Sequence, residues 1–376
     1  MTGMSRRTLL LGGLGLGAAA LTGCTSAPAA GPVPSASGPM PTLPPATPRP
    51  GQRIVEQVLT AKPVTLDLGG PTVPTWAYGD TAPGPLVRAT AGDFLRIRLD
   101  NQLPADTTIH WHGIRLHNKA DGVPSMTQDP VPAGGSFTYE FTAPDPGTYF
   151  FHPHVGVQLD RGLYAPLIVD DPNEPGAYDA EWVVVLDDWV DGTGRTPDDV
   201  LAKLIADGGP APSGGMGGMG GMGGMDHGGH GGGNAPQPWG DAGDVTYPYF
   251  LINGRVPTAP ATFEAKPGQR VRIRLINAAS DTIFTVALGG HRLTVTHSDG
   301  FPVEPQEVDA LYLGMGERYD ALVTLDDGVF PLVARPFGKT EGGQGLALVR
   351  TGSGQAPGTD VSPAELAGRI LLATDL

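Results

Sequence analysis

The chain has 376 residues, one cysteine, 57 glycines, 39 prolines and a formal net charge of −15. Its length points to two or three domains with ample core. The single cysteine excludes an intramolecular disulfide, a Cys-rich zinc site and an iron–sulfur cluster, all of which need several thiolates. The acidic balance argues against nucleic-acid binding, which draws on Lys and Arg contacts to phosphate. It suits solubility first and attraction of metal cations second.

Arg6 and Arg7 precede an uncharged run, residues 8–23, rich in Leu, Gly and Ala. A charged start, a short apolar stretch and small residues have the shape of an export signal, and the paired arginines match the twin-arginine type. The run is short and glycine-rich for a bilayer core. Leu21-Thr22-Gly23-Cys24 resembles a bacterial lipobox, and the one cysteine of the chain stands at its modified position. The expectation is a signal over residues 1–23, a lipid on Cys24 and a Pro/Ser/Ala-rich tether over residues 24–50. Such a tether would hold an exported domain off the extracytoplasmic face of a bacterial membrane.

From residue 51 onward, short alternating runs are separated by Gly, Pro, Asp and Asn. In Phe94-Leu95-Arg96-Ile97-Arg98-Leu99, the residues Leu95, Ile97 and Leu99 share one face and the arginines the other. Helical periodicity is confined to residues 197–205 and 362–372. The pattern predicts an all-β protein of Greek-key sandwiches or barrels. The chain also repeats itself: Gly92, Arg96, Arg98 and Asn101 recur in register as Gly268, Arg272, Arg274 and Asn277. Two homologous units, residues 51–172 and 173–352, follow from this repeat. Residues 353–376 are then a linker and stub.

Within the second unit, residues 207–243 form a glycine-rich insertion for which no helix or strand is expected. Met216, Met219, Met222 and Met225 recur every third residue in it, followed by His227 and His230. Thioether sulfur favours Cu(I), and imidazole suits either copper oxidation state, so the segment reads as a Cu(I)-capture element. A low-complexity linker that merely tolerates methionine is the plainer alternative.

Four of the nine histidines fall in two His-X-His pairs, His110-Trp111-His112 and His152-Pro153-His154. Residues i and i+2 of a strand face the same way, about 7 Å apart, so two adjacent strands would present four imidazoles on one surface. That arrangement predicts a metal, and imidazole spacing alone leaves copper, zinc, iron and nickel open. In the second repeat the matching positions are near Thr285 and Ala287, so only the first unit is dressed for metal.

His110-Trp111-His112-Gly113, Asp121-Gly122-Val123-Pro124, Pro132-Ala133-Gly134 and Gly147-Thr148-Tyr149-Phe150-Phe151-His152-Pro153-His154 together resemble the first cupredoxin domain of multicopper oxidases, the laccase, bilirubin-oxidase and cuprous-oxidase group. The resemblance spans residues 55–350, the second unit matching a middle domain without catalytic copper. It implies oxidation of a small reducing substrate, a phenol, Cu(I) or another metal ion, coupled to reduction of O2 to water. It also implies that His110 ligates a type 2 copper, that His112 and His152 share one type 3 copper, and that His154 ligates the other. Asp121 matches an acidic residue that handles protons beside the cluster, although a turn residue before Gly122 is the simpler reading. His117, His291 and His297 receive no ligand role.

A type 1 copper needs a Cys thiolate with two histidines, and Cys24 is assigned to the lipobox. Four of the eight histidines that such a trinuclear cluster uses are present. The expectation is therefore a multicopper oxidase recorded without its third, copper-bearing domain, carrying half of a type 2/type 3 cluster and no type 1 copper. The alternative is a surface lipoprotein that binds and buffers copper without oxidase activity. A scaffold that has lost catalysis fits less well, since the histidine pairs and Asp121 persist. An oligomer with shared sites would still lack a type 1 thiolate.

Overall fold

The computed structural model describes residues 47–174, 176–207 and 243–376. The first half contributes strands β1 (Ile54–Asp67), β2 (Thr72–Tyr78), β3 (Val87–Thr90), β4 (Phe94–Asn101), β5 (His110–His112), β6 (Ser136–Thr142), β7 (Gly147–His152) and β8 (Ala165–Asp170). They form two four-stranded sheets, ordered β2-β1-β4-β6 and β3-β8-β7-β5. The second half contributes β9 (Ala180–Trp189), β10 (Tyr249–Ile252), β11 (Ala261–Glu264), β12 (Arg270–Asn277), β13 (Phe284–Leu288), β14 (Leu293–Ser298), β15 (Phe301–Val308), β16 (Ala310–Leu313), β17 (Arg318–Thr324), β18 (Val329–Pro336), β19 (Gly345–Arg350) and β20 (Ile370–Leu371). These make two six-stranded sheets, ordered β10-β9-β12-β17-β14-β15 and β11-β19-β18-β13-β16-β20. The all-β expectation of two tandem sandwiches holds.

The repeat is a repeat of pairing as well as of sequence. β1 runs parallel to β4 as β9 does to β12, and β3 runs parallel to β8 as β11 does to β19. Asn101 and Asn277 recur because each staples the end of its strand. Asn101 Nδ2 donates to the Ala105 and Val131 carbonyls, and its Oδ1 accepts from the Leu103 amide. Asn277 does the same with Thr282, Leu313 and Ala279. In the second copy Thr285 faces Arg335, where the first copy has His110 facing His152.

One short helix, α1 (Pro197–Ala206), follows the 197–205 periodicity. Thr196 and Asp199 cap its start reciprocally and Pro197 occupies the first turn. The other helical expectation is corrected. Residues 362–372 form a single 3₁₀ turn (Ala364–Ala367) and strand β20, which adds in parallel to β16 and buries Leu371. Pro363 at the turn's entry and Gly368 after it leave too few residues for a regular helix. Among the described residues, no helix is long and apolar enough to cross a membrane.

Each sandwich has its own apolar core, and two smaller clusters join them. Leu66, Leu68 and Val73 pack on Trp189, Leu251 and Val256, while Phe150 and Tyr164 pack on Val185, Ile276 and Ala278. Beyond the Phe150 cluster, on the side away from Trp189, lies a polar clamp. The alternating arginines that β4 turns to water as Arg96 and Arg98 are, on β12, buried as Arg272 and Arg274. Both bind Asp320, which is 1% exposed, at 2.6 and 3.1 Å. From the first sandwich, the Thr148 hydroxyl donates to Asp320 and accepts from Arg274. Removing one member of a buried pair leaves charge uncompensated. Asp320→Ala is expected to destabilise the protein by about 3–5 kcal/mol in urea unfolding, and a loss below about 1 kcal/mol would show that the clamp is not a net support.

Candidate metal centre

The two His-X-His segments face their rings one way because the residues between them go the other. Trp111 is fully buried against Tyr139, Phe141 and Phe151, which fixes β5 and turns His110 and His112 to the opposite face. β5 and β7 pair antiparallel, with His110 opposite His152, Trp111 opposite Phe151 and His112 opposite Phe150. His154 follows just beyond the strand, its amide held by the Thr108 hydroxyl. The four rings predicted to converge do so. The His110 centroid lies 5.9, 5.5 and 5.0 Å from those of His112, His152 and His154. One ring nitrogen from each of His110, His112 and His152 lies within 4.8 Å of the others.

Hydrogen bonds select which nitrogen each ring presents. His110 Nδ1 is 2.9 Å from the Asp121 carbonyl and His152 Nδ1 is 2.8 Å from the Pro153 carbonyl. Both Nδ1 atoms therefore carry the proton and leave Nε2 as the free donor. His112 Nδ1 and His152 Nε2 lie 3.2 Å apart, close to the ~3 Å separation of two imidazole nitrogens on one first-row metal ion. Asp121 ends a 3₁₀ turn (Asn118–Ala120), and its carboxylate stands 3.4 Å from His110 Nδ1. The residue thus orients the ring through its carbonyl.

Burial pushes His112 down to about 3, helped by competition with His152 for a proton and by the positive charge of Arg318. It pushes His152 down to about 3 as well, against the opposing Pro153 hydrogen bond, and it lowers His154. Neutral imidazoles with free lone pairs are the form a metal ion takes, and the donor set fits copper.

The second sandwich supplies the far wall of a cleft of about 520 Å³, with Asn277, Met315 and Gly316 opposite the histidines and Val200, Leu201 and Leu204 of α1 along one side. Gly316, at φ +78°, sits so close to His112 that a Cβ would meet the ring at 2.7 Å. Arg318 holds this turn in place, bonding the Gly316 carbonyl at 2.7 Å and the Thr148 carbonyl at 3.2 Å. Phe150 stacks on His112 at 4.4 Å.

Asn277 was noted from sequence only as part of the repeat and Phe150 only within the His152 motif; Met315, Gly316 and Arg318 were not singled out. One signal existed: the Gly316 amide bonds the Asn277 carbonyl as the Gly134 amide bonds that of Asn101, so the repeat extended to Gly316. Of the other histidines, His291 is satisfied by the Gly289 carbonyl and the Asp326 amide. His297 bonds Thr296, and His117 caps the 3₁₀ turn. Cys24, Met216, Met219, Met222, Met225, His227 and His230 lie outside the described residues.

Sequence models of the multicopper oxidase family match residues 60–174 and 224–353. The chain is 49% identical to multicopper oxidase MmcO of Mycobacterium tuberculosis, over 97% of its own length and 70% of that protein's. It is 31% identical to copper resistance protein A of Escherichia coli, over 75% of this chain and 48% of the relative. Among solved structures, a multi-copper oxidase from Pseudomonas thermotolerans superposes with a TM-score of 0.61 at 32% identity, covering 84% of this chain and 67% of that one. The laccase from Botrytis aclada superposes at 0.66 and 26% identity, covering 83% and 55%. Two cupredoxin sandwiches, one bearing four converging imidazoles, belong to a copper protein of this kind: the chain is a member of the multicopper oxidase family. It spans 70% of the mycobacterial relative and about half of the copper resistance proteins, and membership implies copper as the cofactor.

The unfolded chain takes up protons on histidine near 6.5 and the folded chain near 3 at His112 and His152. The pair therefore destabilises the metal-free fold progressively as pH falls between those values. In NMR titrations of the metal-free protein, the ring signals of both residues are expected to stay constant from pH 8 to about pH 4.5. Midpoints near 6 would contradict the buried, neutral state.

Proposed function

We propose that the protein is part of a copper-dependent oxidase that removes electrons one at a time from a small reducing substrate and delivers them to O2, giving water. The observation that carries this reading is the 3.2 Å approach of His112 Nδ1 to His152 Nε2 within a set of four imidazoles. His110 would hold a type 2 copper, His112 and His152 one type 3 copper, and His154 the other. The remaining ligands of the trinuclear site and the type 1 copper would lie outside these 376 residues. Bound copper supplies the one-electron redox steps and the site at which O2 is reduced. The chain's own residues orient the ligands: the Asp121 and Pro153 carbonyls set two tautomers, Phe150 fixes the His112 plane, and the Gly316 turn closes the space behind it. The Asp121 carboxylate, 3.4 Å from His110 Nδ1, would move protons at the edge of the site.

For the substrate, Cu(I) or another metal ion is favoured over a phenol. The methionine series from Met216 to Met225, with His227 and His230, offers soft ligands, and relatives of this chain are named copper resistance proteins. Among the described residues that flank the segment in the chain, residues of α1 and Val245 line the histidine cleft. Export by the twin-arginine signal and anchoring through Cys24 complete the reading, placing the activity at the cell surface.

His110→Ala and His154→Ala are each expected to lower the copper content of the loaded protein, measured by elemental analysis. Absence of copper in the loaded wild type would refute the site. Deleting residues 213–234 is expected to weaken Cu(I) capture, measured by competition with a chromogenic chelator, at unchanged thermal stability. An unchanged affinity would make the segment a linker. In the full-length protein of which these residues are a part, copper bound without O2 consumption when a reducing substrate is supplied would favour the copper-buffering lipoprotein.

A further inference from the structure

The histidine cleft has a second set of ionisable groups that the metal ligands leave unused. Asp160 lines the cleft, at the end of the 3₁₀ turn (Gln158–Asp160) that follows the His152-Pro153-His154 segment. Asp187 and Asp188, near the end of β9, come up behind it from the second sandwich, and all three carboxyl groups are buried. Their surroundings differ. Asp188 accepts hydrogen bonds from the Ser280 and Asp281 amides and the Thr282 hydroxyl, at 2.9, 3.1 and 2.6 Å. Three donors favour the charged form, so Asp188 is the carboxylate of the set. The Tyr247 hydroxyl reaches both Asp160 oxygens at 3.3 and 3.4 Å.

The Tyr164 hydroxyl closes the trio on the side of Asp187. It is 1% exposed and lies against that carboxyl group. Positive charge is scarce around the trio. Lys339 is bound to Asp281 and the Val245 carbonyl, and Arg161 is bound to Asp191 and Asp198. Three buried carboxyls cannot all be ionised beside so little countercharge. Burial and the charge of Asp188 accordingly push Asp160 up, and burial with the same neighbour pushes Asp187 well above the usual carboxylate range.

We propose that Asp160 is a proton-delivering residue of the histidine cleft, held protonated by its burial beside the Asp188 carboxylate and separate from Asp121. The proposal rests on the oxidase reading above, in which O2 is the oxidant and the small reducing substrate supplies the electrons. In the step assigned to Asp160 no electron moves. Its O–H bond breaks as an O–H bond forms on hydroxide produced in the cleft, water leaves, and the Asp160 carboxylate takes its next proton from solvent. Asp121 and Asp160 would then serve the site from different elements, one beside His110 and the other beyond His154. Asp187, Asp188 and Tyr247 are positioning residues, acting only through the proton affinity of Asp160.

The test begins on the metal-free chain with 13C-labelled aspartate. Infrared spectra are expected to show the carbonyl stretch of a protonated carboxyl at pH 7, lost on raising the pH. Asp160→Asn should remove that component, while Asp160→Glu should move it without abolishing it. If the wild type shows no protonated carboxyl at pH 7, or if Asp160→Asn leaves the signal unchanged, the proposal is overturned whatever the copper content. In the copper-loaded full-length oxidase, Asp160→Asn is expected to slow O2 consumption by about 10²-fold at unchanged copper content and substrate KM, with a larger solvent isotope effect. Asp160→Glu should recover most of the rate, and Tyr247→Phe should shift the pH profile. An Asp160→Asn protein with the wild-type rate and isotope effect overturns the delivery role. A wild type that binds no copper, or turns over no O2, overturns instead the oxidase reading on which the role depends. Should Asp160→Asn fail to fold, the wild-type spectrum and the Asp160→Glu pair decide the question.

Discussion

Asp320 holds the two sandwiches in the relation that makes a cleft possible. Its carboxylate is buried between Arg272 and Arg274 of its own sheet and Thr148 of the neighbouring sandwich. Thr148 lies on the strand that ends in His152, and its carbonyl accepts from Arg318, which also grips the Gly316 carbonyl. The ligand-bearing strand and the wall opposite it are thus tied through one buried network. Apolar packing at Phe150 and, farther along, at Trp189 adds adhesion. The charged network adds direction, because a buried ion pair tolerates few alternative geometries.

The metal face itself depends on strand register. His110 lies opposite His152, and a slip of one residue would exchange the imidazoles for Trp111 and Phe151. The buried aromatic residues guard against that slip, since each would have to leave the core. Backbone carbonyls of Asp121 and Pro153 then settle which nitrogen is free, so ring orientation and tautomer are fixed before any ion binds.

How much of this was legible in the sequence follows from the range of each interaction. The alternation in β4 and the paired His-X-His segments are local, and they announced both the all-β architecture and the four converging rings. The recurrence of Asn101 as Asn277 was visible because each makes the same short-range staple. Residues 362–372 looked helical by spacing, yet Pro363, Gly368 and an open strand edge at β16 decided otherwise. Gly316, Arg318, Asp160 and Asp320 were silent, because their roles arise only when elements far apart in the chain meet. Arg272 and Arg274 show the limit most clearly. They read like the solvent-facing arginines of β4, and only the presence of a neighbouring sandwich makes them interior.

Those two arginines also illuminate what duplication achieved in this molecule. The same strand, bearing the same alternation, faces water in one copy and a partner in the other. Thr285 and Arg335 occupy in the second copy the stations held by His110 and His152 in the first. One copy kept the chemistry while the other became enclosure, a division of labour within a single chain. Because the ligands reside on one copy and much of the opposite wall on the other, the two can vary under separate selection. The wall can be reshaped while the ligand strands stay as they are.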